Sequence, residues 1–360
     1  MVILGNTSLL EKIALITSDP CEARGFTSDV SRILYHWQLI TALTRTARRF
    51  GARHWSPLTV LSRKSIHTFA KQWRSYDSGT GTRTKIDLHH LLPRGEQPML
   101  LTNPNHLNDA SYQFLPGIAP YSCGVTANPG YEIVHVTLTK PILWRDGFRC
   151  IETYLQQIGL SKQALCAMQL RCPKPFTIQR FIDFNQLYCQ VLVDWGIISD
   201  RVNPVARTNV APVSYPLEDC ALYAFSYAKK DTLPALETHP SKTFVIAGAG
   251  ELRDGILEPE RIIRPGEVST EALLEKATYV MEVMSDRLHS LGAVWSDATR
   301  ISVYTVHPVD LILERVIYPV LGQTYAHAIQ LYLTRPPVEA IEFEMDLRGI
   351  RTELRLDPMQ

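Results

Sequence analysis

The residues best suited to chemistry in this 360-residue sequence are one cation, one carboxylate and one imidazole set among apolar neighbours: Arg207, Glu342 and His327. Such a set suits anion binding and proton transfer. Arg207 interrupts the apolar, strand-like run at 205–213, where a buried guanidinium must meet an anion. That anion is either a ligand or an internal carboxylate. Glu342 alternates with Ile341 and Phe343, so it faces either a site or solvent. His327 stands fifteen positions before Glu342. It reads as an acid–base group titrating near neutrality or as a hydrogen-bonded strand residue. Tyr121, Asn185 and Gly248 have plain readings beside the functional ones: a packing ring, a brace in a helix turn and a tight turn. Arg335, beside Pro336-Pro337, is a pocket cation or a solvated rim group.

Metal and thiol chemistry find little support. The seven cysteines are odd in number, scattered, and never form a CxxC pair, and the 11 histidines never fall into HxxxH or HExxH spacing. Reduced thiols are expected, with Cys189 and Cys220 in the core. The composition is 45% hydrophobic and 20% charged with a net charge of +1, an ordinary globular balance with no field drawing the chain to nucleic acid or anionic lipid. No apolar run approaches the roughly 18 residues that a membrane span needs.

Residues 1–98 read as a separate extension. From Val30 to Tyr76 there is no Asp or Glu, while arginine, lysine and hydroxyl residues abound, as in organellar transit peptides. Glu11, Asp19, Glu22 and Asp29 argue against that reading. A cytoplasmic protein is expected, with mitochondrial import as the alternative.

Beyond Met99 two stretches, 99–230 and 240–355, repeat one order of elements: strand, helix, strand, helix, strand, strand. In the first, Phe148, Ile151, Tyr154, Leu155 and Ile158 recur at helical spacing over 146–158, and Gly159 ends the run. A strand at 164–170, a helix at 178–195 and strands at 205–213 and 222–228 follow. The second copy has a strand at 243–247 with a Gly-Ala-Gly turn, then a helix capped by Ser269 or Thr270 that points Leu273, Ala277, Val280, Met284 and Leu288 inward. A strand at 300–306, a helix at 309–320, and strands at 326–333 and 341–347 complete it. The pattern predicts an α+β fold, each copy a mixed sheet with two helices on one face.

Local residues give the repeat a likeness. Gly117-Ile118-Ala119-Pro120-Tyr121 with Gly124-Val125, Asp183-Phe184-Asn185-Gln186-Leu187-Tyr188, and Ala206-Arg207-Thr208-Asn209-Val210 ahead of Tyr215-Pro216 lie in the first copy. Ile246-Ala247-Gly248-Ala249-Gly250, Pro336 and Ile341-Glu342-Phe343-Glu344 lie in the second. In order and spacing these resemble the YjgF/RidA reactive-intermediate deaminase family, whose domains have a chorismate-mutase-like fold. The resemblance implies a site between two such domains, usually within a trimer, that takes a small carboxylate-bearing enamine or imine of the 2-aminoacrylate or aminomuconate type. It would release ammonia and an oxo acid without metal or organic cofactor. By the match, Arg207 clamps the substrate carboxylate, which a planar guanidinium holds through two parallel bonds. Glu342 matches the family's acid, able in a partly buried pocket to move protons. Tyr121 and Asn185 line or orient, and the amides around Gly248 add donors. Partners would be a small carboxylate and further copies of the chain in a trimer or pseudo-trimer.

The departures matter. The first copy has Arg207 but Leu222 or Tyr223 at the acid's place, and the second has Glu342 but His327 at the arginine's. A composite site drawing on both copies is one explanation, and loss of the ancestral reaction is the other. Chorismatase-like chemistry on the same fold and a non-catalytic carboxylate-binding module stand as competing functions.

Overall fold

The computed structural model describes residues 100–104, 111–214, 217–232, 242–322 and 328–358. The 1–98 extension, the Tyr215-Pro216 pair and His327 lie outside the described residues. A hairpin comes first, β1 (Tyr112–Leu115) and β2 (Gly124–Ala127). The first repeat runs β3 (Tyr131–Leu143), α1 (Trp144–Gln157), β4 (Leu165–Arg171), α2 (Ile178–Asp194), β5 (Ala206–Pro212) and β6 (Ala221–Lys230). The second runs β7 (Phe244–Gly250), α3 (Thr270–Ser290), β8 (Arg300–Thr305), a helical segment α4 across residues 310–321, β9 (Ile329–Arg335) and β10 (Glu344–Gly349), and then adds β11 (Thr352–Leu356).

The helices form where the apolar period dictates. α1 buries Trp144, Phe148, Ile151 and Leu155 on one face, and Gly159 at φ 75° closes it with its N–H bonded to the Gln156 carbonyl at 3.0 Å. Thr177 caps α2 by accepting from the Arg180 N–H, and Ser269 caps α3 by accepting from the Ala272 N–H. α4 is not the continuous helix expected at 309–320. It is two short α segments around a π turn at Leu313–Ile317. A π turn places one extra residue in the winding, and Ile312, Val316, Ile317 and Leu321 still reach the core.

Strand pairing follows the order β1-β2-β7-β10-β8-β9-β5-β4-β6-β3-β11. The sheet of β5, β4, β6, β3 and β11 packs one face against α1 and α2. The sheet of β1, β2, β7, β10, β8 and β9 packs against α3 and α4. A third apolar cluster, including Tyr112, Val125, Ile133, Ala167, Ala206 and Val245, draws on both sheets and fills the space between their inner faces. β4–β5 and β8–β9 are parallel, so each sheet is mixed.

Strand pairing crosses the expected division at 99–230 and 240–355 three times. β2, ahead of β3 within the first stretch, pairs antiparallel with β7 of the second. β11 follows the second repeat and pairs parallel with β3 of the first. Each sheet therefore ends in strands lent by the other half, and β5–β9 pairing at Ala211–Arg335 and Pro212–Thr334 joins them. The strand expected at 243–247 continues through the glycines to Gly250, so Gly248 sits in strand rather than in a turn. Among the described residues no helix is long and apolar enough to cross a membrane.

Candidate functional site

Arg207 is a deeply enclosed cation, only 2% exposed on β5. α2 covers it with Phe181, Phe184, Asn185 and Tyr188, spaced i, i+3, i+4 and i+7 and therefore on one helix face. Its guanidinium lies 4.6 Å from the Tyr188 ring centre, 4.9 Å from that of Tyr121, and within 6 Å of those of Phe181 and Phe184. One terminal nitrogen donates to Asn185 Oδ1 at 2.7 Å. The Nε and the other terminal nitrogen have no hydrogen-bond partner among the described residues, and no carboxylate pairs with it there. A buried fork with two free donors is an anion site in waiting.

The space it faces is a cavity of about 390 Å³ that Tyr121, Arg207, Asn209, Gly248, Arg287 and Glu344 help to line. Two structural ties bring Tyr121 there from the β1–β2 loop. The Asn203 side-chain amide donates to the Pro120 carbonyl at 2.8 Å, and the Ser122 hydroxyl donates to the Pro204 carbonyl at 2.9 Å. Both residues bonded lie just ahead of β5, so the loop and Arg207 share one mounting. Asn209 is two residues beyond Arg207 on the same strand face, and its buried side-chain amide has no partner among the described residues.

From the second repeat come Gly248 and Glu344. The Gly248 N–H donates to Thr208 Oγ1 at 3.1 Å, which ties β7 to β5. A methyl group added at Gly248 would fall on the Glu344 carboxyl, so glycine here is what lets that side chain lie against the strand. Burial holds the Glu344 carboxyl well above the usual carboxylate range, and Asp346 and Glu251 push it further. Arg207 and Arg287 oppose the shift without cancelling it. Glu344 is therefore a carboxylic acid poised to keep its proton. Burial also raises the Tyr121 hydroxyl.

The sequence pointed to Glu342 as the acid, and the structure puts another residue at the cavity. Glu342 Oε2 lies 2.7 Å from His307 Nε2 and accepts from Arg335 Nη1 at 3.2 Å. Its carboxylate is thus engaged by two cationic or polar groups away from Arg207, and Glu344 is the acid that lines the space. Arg335 is spent on this pair rather than on the cavity. Tyr121, Arg207 and Gly248 are brought together, and Asn185 touches Arg207 from behind. Glu344, Arg287 and Asn209 were not singled out. The alternation of 342, 344 and 346 placed Glu344 on the same face as Glu342 and was the only available signal.

A fully buried ion pair sets the register of this region. Lys276 of α3 and Glu251 meet at 3.0 Å, both 0% exposed. Glu251 also accepts the backbone N–H groups of Glu342 at 2.7 Å and Phe343 at 3.0 Å, which fixes the start of β10. Among the described residues no group of three or more His, Cys, Asp or Glu side chains is arranged to hold a metal ion. Cys172 and Cys220 are fully buried, and burial pushes the Cys220 thiol up to about 12, so it is an inert core thiol; Cys189 is only partly buried.

The family model for the 2-aminomuconate deaminase CnbZ matches residues 105–354. A 2-amino-5-chloromuconate deaminase from Comamonas testosteroni is 39% identical over 241 residues, 66% of this chain and 93% of that protein. Among solved structures, a chorismatase is 16% identical with a TM-score of 0.37, over 63% of this chain and 77% of its own. The YjgF gene product of E. coli is 13% identical with a TM-score of 0.20, over 30% and 80% respectively.

Proposed function

This chain belongs to the 2-aminomuconate deaminase family, and we propose that it hydrolyses a 2-aminomuconate-type enamine to ammonia and the corresponding oxo acid in the cavity between β5 and β10. The observation that carries this reading is that one cavity is lined by both Arg207, buried with two donors unpartnered among the described residues, and Glu344, whose carboxyl burial pushes well above the usual carboxylate range.

Arg207 receives the carboxylate beside the amino-bearing carbon through its two free N–H groups, and the aromatic rings around it keep water away. Glu344 then gives its proton to the carbon chain of the enamine. The C=C electrons form that new C–H bond, and the nitrogen lone pair forms C=N⁺. Water adds to the electrophilic carbon and returns a proton to Glu344. The resulting carbinolamine moves a proton from oxygen to nitrogen, breaks its C–N bond and leaves C=O. The sum is one water consumed and one ammonia released. Acid–base help of this kind is worth about 10²–10⁴ in rate. Asn209 and Tyr121 supply further polar contacts for the bound substrate.

Further copies of the chain belong to the same proposal. β9 exposes Leu331 at 51% and Leu333 at 63%, apolar surface suited to a neighbouring subunit. Light scattering reads that assembly directly.

The test is ammonia release from freshly generated 2-aminomuconate. Wild-type protein turns it over; Arg207→Ala loses activity through weakened anchoring, and Glu344→Gln loses turnover with binding largely kept. No ammonia from the wild type, or wild-type kinetics in both variants, overturns the assignment.

A further inference from the structure

Arg207 is not the cavity's sole cation. Arg287 comes from the last turn of α3 and lines the same space from the second repeat. One of its terminal nitrogens donates to the Ala247 carbonyl at 3.0 Å, next to Gly248, which fixes the side chain against β7. Among the described residues no carboxylate forms an ion pair with it, although Asp286 beside it also borders the cavity. Both guanidiniums act on Glu344 and on Tyr121, so all four groups share one electrostatic neighbourhood. A site for a monocarboxylate needs one such cation. This cavity has two, on different elements, with the acid in reach of both.

We propose that Arg287 is the specificity-determining residue that binds the far carboxylate of a dicarboxylate substrate whose near carboxylate lies on Arg207. The inference rests on the deaminase reading and extends it: a muconate skeleton carries a carboxylate at each end, and each end meets its own guanidinium. Division between halves follows, with the first repeat reading the amino-acid end and the second reading the distal end. The Ala247 bond leaves the rest of the Arg287 fork for the ligand and holds it at a set depth, so chain length is read as well as charge. Asp286 opposes a second carboxylate and tunes that preference downward.

The experiment measures binding and needs no turnover. Calorimetry compares trans,trans-muconate with sorbate, the same trans,trans six-carbon diene with one carboxylate replaced by methyl. Wild-type protein binds muconate more tightly than sorbate. Arg287→Gln weakens muconate by about ten- to a hundredfold, the worth of a charge-assisted contact, and leaves sorbate unchanged. Arg207→Gln weakens both. Arg287→Lys, a second variant of smaller disturbance whose fold is checked by circular dichroism, gives an intermediate loss for muconate alone. An unchanged muconate-to-sorbate ratio in the Arg287 variants, equal losses for both acids, or no muconate binding by the wild type overturns the proposal. Because neither acid carries the amino group, selective loss in Arg287→Gln together with no ammonia from 2-aminomuconate leaves the anchor standing and removes the deaminase reading instead.

Discussion

Replacing Arg207 by methionine separates binding from folding, because the structure assigns opposite consequences to the two. The guanidinium is 2% exposed and has one hydrogen bond to Asn185, with two donors free. Burying an ion costs several kcal/mol even after relaxation. Against that stand the bond to Asn185, about 1.5–3 kcal/mol, and ring contacts that return on the order of 0.5–2 kcal/mol where desolvated. These terms nearly cancel. An unbranched apolar side chain of similar length therefore changes folding stability by less than about 2 kcal/mol in either direction. Activity behaves differently. Two charge-assisted bonds to the substrate carboxylate amount to about 3–6 kcal/mol, which is roughly 10²–10⁴ in kcat/KM. Urea unfolding and ammonia release on the same preparation read both quantities. An internal ion pair would show the reverse pattern, a loss of about 3–5 kcal/mol in stability with kcat/KM of the folded fraction within tenfold of wild type. That result would refute the assignment of Arg207 as an anchor.

Three other perturbations follow from the same geometry. Glu344 keeps in the folded state a proton that the unfolded chain releases, so stability declines as pH rises through the ordinary carboxylate range toward the raised folded value, then levels off. Glu344→Gln flattens part of that decline in urea midpoints taken from about pH 4 to 8; burial likewise raises Glu251 and Asp286, which add to the decline, and holds His135 low, which opposes it, and an unchanged slope contradicts the assignment. In wild type kcat/KM holds on the acid side and falls as pH passes the Glu344 value, because the proton donor is then lost. Gly248→Ala puts a methyl group where the Glu344 carboxyl lies and 3.1 Å from Thr208 Cγ2. The carboxyl is the end of a flexible side chain and yields, so kcat drops on the order of 10²-fold while stability falls by only about 1 kcal/mol. Lys276→Met strands the fully buried Glu251 and costs about 3–5 kcal/mol in urea unfolding, part of which Glu251→Gln in the same chain restores.

Much of the fold was legible because period and punctuation are local properties. The apolar spacing of α1, α2 and α3, the stop at Gly159 and the cap at Ser269 put the helices within a few residues of their observed bounds. Pairing was not legible, since alternation says that a segment is a strand and not which strand lies beside it. Hence β2 beside β7 and β11 beside β3 came only with the structure. Arg207, Tyr121, Asn185 and Gly248 could be named from short stretches of residues. The choice between Glu342 and Glu344 could not, because alternation puts both on one face of the strand expected at 341–347, whereas β10 begins only at Glu344. It is made at long range: His307 and Arg335 engage Glu342, whereas the bare Cα of Gly248 makes room for Glu344. Arg287 and Asn209 read as ordinary helix and strand residues until the cavity brings them to Arg207.

The exchange of strands explains why the cavity takes parts from both halves. β2 sits beside β7, and so the loop carrying Tyr121, ahead of β3 in the first stretch, hangs next to Gly248 of the second. The same loop is tied to the residues ahead of β5, so β7 and Arg207 are held across one short span. The two halves supply different groups to this cavity: the first holds Arg207 and Asn209, the second holds Gly248, Arg287 and Glu344. Glu342, the acid the sequence paired with Arg207, is engaged by His307 and Arg335, and the arginine and acid that do face one cavity, Arg207 and Glu344, come from different halves.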